Sequence, residues 1–227
     1  MSDYQMFEAV VRDVEQITAQ VKRFTLVSPT GAPLPAFSGG SHIIVQMQDG
    51  EQRYSNAYSL MSSPLDTTSW QIAVRLESPS KGGSRFMHQQ VRPGDTLTVS
   101  TPNNLFAIEP QARKHLLIAG GIGITPLLAM AEAIAARKGA LELHYYVASS
   151  RQTAFSPRLN QLTANGTVAI HCSEEGASFR QRVPECLTVP HPDTVVIACG
   201  PEGFIQRLRS VMEEYRWSPS QFVFERF

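Results

Sequence analysis

The hydrophobic period of the chain changes near residue 110, and that change limits the fold more than any other feature of the sequence. Before it, short runs rich in β-branched and aromatic residues recur at 7–11, 21–27, 42–47, 70–76 and 96–100. Turn chemistry at 28–31, 35–40, 49–50 and 92–95 separates them, with Pro and Gly supplying the bends. Strands at this spacing predict an antiparallel β-barrel or sandwich. After Pro110 short apolar runs alternate with amphipathic stretches: strands at 115–119, 141–147, 168–171, 194–198 and 222–224, and helices at 126–137, 157–163 and 201–215. Alternating strands and helices make βαβ units and a parallel sheet with covered faces. The chain therefore reads as two domains, 1–108 and 109–227, the second a Rossmann-like α/β unit. No repeat or flexible linker parts them, so they are expected to pack directly.

Composition narrows the functions. Lys plus Arg and Asp plus Glu both number 20, which argues against nucleic acid, whose binders carry a basic excess. Cys172, Cys186 and Cys199 are too few for a disulfide framework and fit a reducing, cytoplasmic compartment. The start lacks the basic stretch and apolar run of a secretory signal. Residues 116–131 carry no charge, but the stretch is short for a bilayer span and is broken by Gly120, Gly121, Gly123 and Pro126, so no membrane association is expected. His42, His88, His115, His144, His171 and His191 show no metal-ligand spacing and read as structural or exposed.

The strongest local signal is Gly120-Gly121-Ile122-Gly123-Ile124-Thr125-Pro126, between a predicted strand and a predicted helix. Glycines permit positive φ and close backbone approach, and free N–H groups at a helix start attract an anion. Pro126 stands where the plain dinucleotide fingerprint has its last glycine, and a tight turn without ligand uses the same letters. A second turn, Cys199-Gly200-Pro201, has the same context. Both fall at the carboxyl ends of parallel strands, the edge where ligands bind.

These two motifs resemble the nicotinamide dinucleotide motifs of the ferredoxin-NADP reductase superfamily, most closely those of the phthalate dioxygenase reductase and vanillate demethylase reductase group. Asn56-Ala57-Tyr58-Ser59-Leu60 and Gly82-Gly83-Ser84-Arg85-Phe86-Met87-His88 resemble that group's flavin motifs, in the same order, so the resemblance spans the chain. It implies a flavin in the first domain, FMN with FAD as the alternative. Tyr58 then packs along the ring and Ser59 sits close to N5, with Ala57, Ala73 and Val74 beside them. Lys81, Gly82, Gly83, Ser84 and Arg85 form a phosphate cradle. The group's arginine is replaced by Asn56, so a charge-assisted phosphate contact becomes a neutral one, which Arg53, Lys81 or Arg85 can offset.

The resemblance also implies a nicotinamide held by Gly120, Gly121, Gly123, Thr125, Pro126, Gly200 and Pro201, with Cys199 near the transferring carbon. As a lone thiol without an activating base in sequence, Cys199 reads as packing and not as a nucleophile. Glu225 and Phe227, bottom-up a last strand with a charged tip, are implied to line the flavin. Ser150 and Arg151 follow the second strand of the α/β unit, where no carboxylate stands to hold a free ribose hydroxyl. That chemistry leans toward NADPH, whereas the resemblance implies NADH.

The expected function is a flavin-dependent NAD(P)H oxidoreductase, the reductase component of a Rieske-type aromatic oxygenase or demethylase. Ser59, Cys199 and Glu225 would stand at the reacting atoms, and a ferredoxin partner would carry electrons to the oxygenase. A stand-alone flavin or ferredoxin reductase and a non-catalytic electron-transfer or nucleotide-sensing subunit are the alternatives. The group's 2Fe-2S domain needs C-x₄-C-x₂-C spacing, which this sequence does not contain. The carrier is thus expected on a separate ferredoxin, or on a longer protein of which this chain is a fragment.

Overall fold

The computed structural model describes residues 4–227. Its first part is a six-stranded antiparallel sheet of β1 (Met6–Thr18), β2 (Val21–Val27), β3 (His42–Asp49), β4 (Gln52–Ser59), β5 (Trp70–Arg75) and β6 (Thr96–Ser100), with helix α1 (Gly83–Gln89) between β5 and β6. The strand order is β4-β3-β6-β1-β2-β5. Alternation sends Ala9, Val11, Phe24, Leu26, Ile43, Val45, Ile72, Val74, Leu97 and Val99 into one core around the buried Trp70. The runs predicted at 21–27 and 96–100 form strands with those bounds. β1 is longer than its predicted 7–11, because irregularities near Val11/Asp13 and Gln16/Thr18 let it bend along β2.

The sheet curls without closing. Its outer strands, β4 and β5, are not joined by a ladder among the described residues. Just beyond β4, the Met61 N–H donates to the Gln71 carbonyl at 2.9 Å, which fastens the seam at one end. The expected barrel is therefore an antiparallel half-barrel with an open seam.

The second part contains β7 (Lys114–Gly120), α2 (Ile124–Ala136), β8 (Ala140–Val147), α3 (Ser156–Leu162), β9 (Thr167–Cys172), β10 (Thr194–Gly200), α4 (Glu202–Glu214) and β11 (Phe222–Arg226). All five strands are parallel, in the order β11-β10-β7-β8-β9. The chain moves outward from β7 to β9 and returns to β10, so the direction of winding reverses between β7 and β10. In open α/β sheets such a switch point opens the ligand crevice.

Helix α4 buries Ile205, Leu208, Val211 and Met212 on one face, an ordinary amphipathic stripe. Helix α2 differs: it is buried from Ile124 through Ala131. One side meets the parallel sheet. The other meets the half-barrel, where a Cβ on Gly39 would lie 2.8 Å from the Met130 Cα. Val21, Met61, Ala73 and Phe106 of the first part join Leu117, Ile124, Leu127 and Met130 of the second in one core. The charge-free stretch 116–131 is thus a strand, a turn and a helix enclosed between two sheets. No helix among the described residues is long and apolar enough to cross a membrane.

Candidate functional site

The open seam leads into a cleft of about 470 Å³, within the range of small-molecule sites. One wall is Asn56, Ala57, Tyr58 and Ser59 of β4, and the facing wall is Ala73 and Arg75 of β5. Glu77, Pro79, Ser80, Lys81, Gly83 and Ser84 close one end, and Ile122, Thr125 and Phe227 enter from the α/β unit. Both halves of the molecule therefore build a single cavity.

Local chemistry fixes each wall. Asn56 Nδ2 donates to the Tyr58 hydroxyl at 3.1 Å. Burial pushes the Tyr58 phenol above its ordinary range, so it remains an O–H at neutral pH. Ser59 is buried, 7 % exposed. In the loop before α1, the Gly82 N–H donates to Ser80 Oγ at 3.0 Å and the Glu77 N–H to Ser84 Oγ at 3.1 Å, while the two hydroxyls lie 3.1 Å apart. Gly82 has φ 123° against the Tyr54 ring, and a Cβ on Gly83 would run into Asn56 Nδ2. The loop and β4 are thus packed so closely that only glycine fits between them.

The glycine turns meet at the winding reversal. Gly121 needs its positive φ of 55°. Gly123 needs its missing side chain instead, since a Cβ there would strike the Cys199 carbonyl of β10. Thr125 Oγ1 donates to the Ile122 carbonyl at 3.1 Å and so holds the turn's shape. Pro126 is buried in the first turn of α2. The Phe227 N–H donates to the Gly200 carbonyl at 2.9 Å, which ties the last residue to the second turn. Cys199 pairs in register with Glu225 across β10 and β11. Cys199 is fully buried, and burial followed by the neighbouring Glu225 pushes its thiol well above the ordinary range. Glu225 Oε2 is buried without a hydrogen-bond partner among the described residues, and burial raises this carboxyl too.

A second cleft of about 400 Å³ reaches Gly121, the chain neighbour of Ile122 in the first cleft. Gly120, Gly121 and Pro201 line it with Tyr146, Ala148, Ser173, Ser178, Phe179, Arg180, Phe204 and Arg207. Phe204 lies against both glycine turns, 3.0 Å from a Cβ on Gly120 and 2.7 Å from one on Gly200.

Of the residues singled out in sequence, Asn56, Ala57, Tyr58, Ser59, Ala73, Lys81, Gly83, Ser84, Thr125 and Phe227 line the first cleft. Gly120, Gly121 and Pro201 line the second. Gly82, Gly123, Pro126, Cys199, Gly200 and Glu225 stand behind these walls as packing and turn residues. Val74 points into the half-barrel core. Arg85 is exposed on α1 outside both clefts, as are Ser150 and Arg151 in a short 3-10 turn after β8. Sequence reasoning missed Arg75, Ile122, Arg180, Phe204 and Arg207. For Arg75 a signal existed, the outward position that ends the alternation of β5.

The fit to a flavin rests on these walls: two apolar faces of Ala57, Ala73, Tyr58 and Ile122, a buried hydroxyl, and a hydroxyl-rich end carrying Lys81. Residues 8–108 match the oxidoreductase FAD-binding domain family and residues 117–210 the oxidoreductase NAD-binding domain family. The carnitine monooxygenase reductase subunit of Escherichia coli (strain K12) is 52% identical over 100% of this chain and 70% of its own length. The chain belongs to the flavin- and NAD-binding oxygenase reductases. The vanillate O-demethylase oxidoreductase of Acinetobacter baylyi (strain ATCC 33305 / BD413 / ADP1) is 36% identical, over 97% of this chain and 68% of its own. The solved phthalate dioxygenase reductase, described as a modular structure for electron transfer from pyridine nucleotides to [2Fe-2S], superimposes with a TM-score of 0.88 at 28% identity, covering 97% of this chain and 68% of that one. This reductase is thus an NAD(P)H-dependent flavoprotein with an electron-transfer role.

Proposed function

We propose that the chain is the flavin and nucleotide module through which NADH delivers electrons, by way of FMN, to an iron-sulfur centre serving a Rieske-type oxygenase. The observation that carries this reading is the single cleft into which Ser59 and Ala73 of the seam and Ile122 and Thr125 of the nucleotide turn both project. A flavin supplies the ability to take two electrons from a nicotinamide and release them one at a time.

The chain's own residues do the positioning. Tyr58 and Ala73 form opposite walls, and Ser59 offers a buried hydroxyl between them. Lys81 and the Ser80–Ser84 loop offer one cation and several donors, a sink suited to a single phosphate, which favours FMN over FAD. Ile122 and Phe227 enter the first cleft from the α/β unit and help exclude water from it. Glu225 pairs in register with Cys199 across β10 and β11, and Cys199, raised by burial, packs as a thiol. Arg180, Arg207 and Ser178 hold the nucleotide's phosphate and ribose groups in the second cleft. We place the domain boundary at 108/109, between β6 and β7. The 52% identity to a carnitine monooxygenase reductase subunit favours an oxygenase of quaternary-ammonium substrates over an aromatic one.

The test is anaerobic absorption spectroscopy of the purified chain with NADH and, separately, NADPH, followed by chromatography of the heat-released flavin. The expected result is a yellow protein bleached faster by NADH, releasing FMN. A protein that takes up neither FMN nor FAD overturns the reading; released FAD, or preference for NADPH, overturns the corresponding choice.

A further inference from the structure

Away from both clefts, three side chains of different chemistry converge on one point. Glu142 and His144 are alternate residues of β8, and Cys186 lies in the 3-10 turn Glu185–Leu187. His144 Nε2 is 2.9 Å from Glu142 Oε1 and 3.5 Å from Cys186 Sγ. One donor atom from each of the three falls within 4.8 Å of the others. The His144 side chain is 8% exposed and that of Glu142 19%, so the group is largely withdrawn from water. We propose that Glu142, His144 and Cys186 form a binding site for a divalent transition-metal ion of the zinc class, separate from the flavin and nucleotide clefts.

The donor set points to that class. A thiolate, an imidazole and a carboxylate suit a borderline-soft ion and not Mg²⁺ or Ca²⁺, which take oxygen ligands. Tetrahedral zinc, with bonds of about 2.0–2.3 Å, separates its ligand atoms by roughly 3–4 Å, so little movement is needed here. Three protein ligands leave a fourth position for water.

The surroundings also fit. His171 Nε2 lies 2.8 Å from His144 Nδ1, and the rings stack with centroids 5.1 Å apart. A hydrogen bond on the far nitrogen is what fixes a ligating imidazole's tautomer and orientation. Lys114 Nζ holds the other carboxylate oxygen, Glu142 Oε2, at 3.1 Å, leaving Oε1 for the ion. A cleft of about 720 Å³, which Glu142 and Cys186 help to line, gives an entry path. When the ion binds, the Cys186 sulfur–hydrogen bond is replaced by a sulfur–metal bond and the proton goes to water; nothing is oxidised or reduced. Cys186 lies more than forty residues beyond the Glu142/His144 pair, which is why the sequence spacing carries no metal signature. The bound ion would clip β8 to the stretch between β9 and β10, the same stretch that supplies Ser178 and Arg180 to the nucleotide cleft.

The test is calorimetric titration of the chelator-treated, flavin-loaded chain with Zn²⁺, combined with X-ray absorption at the zinc edge. The expected result is one equivalent of zinc with one sulfur and the remainder nitrogen or oxygen. Cys186→Ser is expected to lose the sulfur shell and weaken binding by at least about tenfold, while Cys172→Ser keeps both. Glu142→Gln, with the same expected weakening and the sulfur shell intact, covers the case in which Cys186→Ser does not fold. Absence of stoichiometric binding, or a sulfur shell that survives Cys186→Ser, would overturn the proposal.

Discussion

Glu225 shows how a single side chain can be costly where it sits. Its Oε2 is buried and unpartnered, and burial raises its pKa above the ordinary 4.5. Above that raised value the folded state carries an uncompensated charge. As pH falls through it, the folded chain takes up a proton before the unfolded one does, so the penalty fades. Glu225→Gln is therefore expected to raise the melting temperature at about pH 8, with the gain shrinking toward pH 4.5. Scanning calorimetry against pH checks this; a gain independent of pH would assign the effect to packing. At this scale the sequence was partly legible. Asn56 stands out on inspection, but its partner Gly83 is visible only in three dimensions, because the β4 strand and the α1 loop meet through tertiary packing. Arg180, Phe204 and Arg207 carried no local pattern at all, since a cleft gathers residues from loops whose spacing obeys no period.

The glycine turn after β7 separates two reasons for the same residue. Gly121 is needed for its backbone angle, Gly123 for its lack of a side chain beneath the Cys199 carbonyl. Gly121→Ala is expected to cost about 1–2 kcal/mol with the cleft shape kept. Gly123→Ala must part the turn from the end of β10, costing about 1–3 kcal/mol and raising the KM for NADH several-fold more than Gly121→Ala does. Denaturant unfolding and steady-state kinetics on the two variants check the order. Elements were the most legible level: β2 and β6 have the bounds their patterns predict, and the strand–turn–helix reading of 116–131 holds. The helix of that stretch begins at Ile124, two residues before the predicted start at Pro126, because a proline in the first turn removes no helical hydrogen bond.

For the molecule as a whole, the joint between the two sheets is the consequential structure. Arg158 of α3 reaches across it: its guanidinium donates to Glu132 Oε1 of α2 at 2.6 and 3.0 Å and to the Met61 carbonyl beside the seam. Arg158→Ala leaves that carbonyl and carboxylate without their donor. A loss of about 1–3 kcal/mol is expected, a fall in melting temperature of several degrees at this chain length, and Arg158→Lys should restore only part of it. Calorimetry of the three proteins decides. That the halves pack directly follows from the missing linker, whereas the pin itself does not, for an arginine at 158 and a carbonyl at 61 share no motif.

The unclosed seam between β4 and β5 has a consequence for the protein's life before it works. Two outer strands with no ladder between them among the described residues are edges open to pairing with another chain. A newly made polypeptide is then exposed to intermolecular strand addition until a vitamin-derived ring fills the space. Riboflavin supply during biosynthesis becomes a determinant of yield. A riboflavin auxotroph expressing this chain should move it from the soluble to the aggregated fraction as the vitamin is withdrawn, and sedimentation of lysates across a riboflavin series measures that directly.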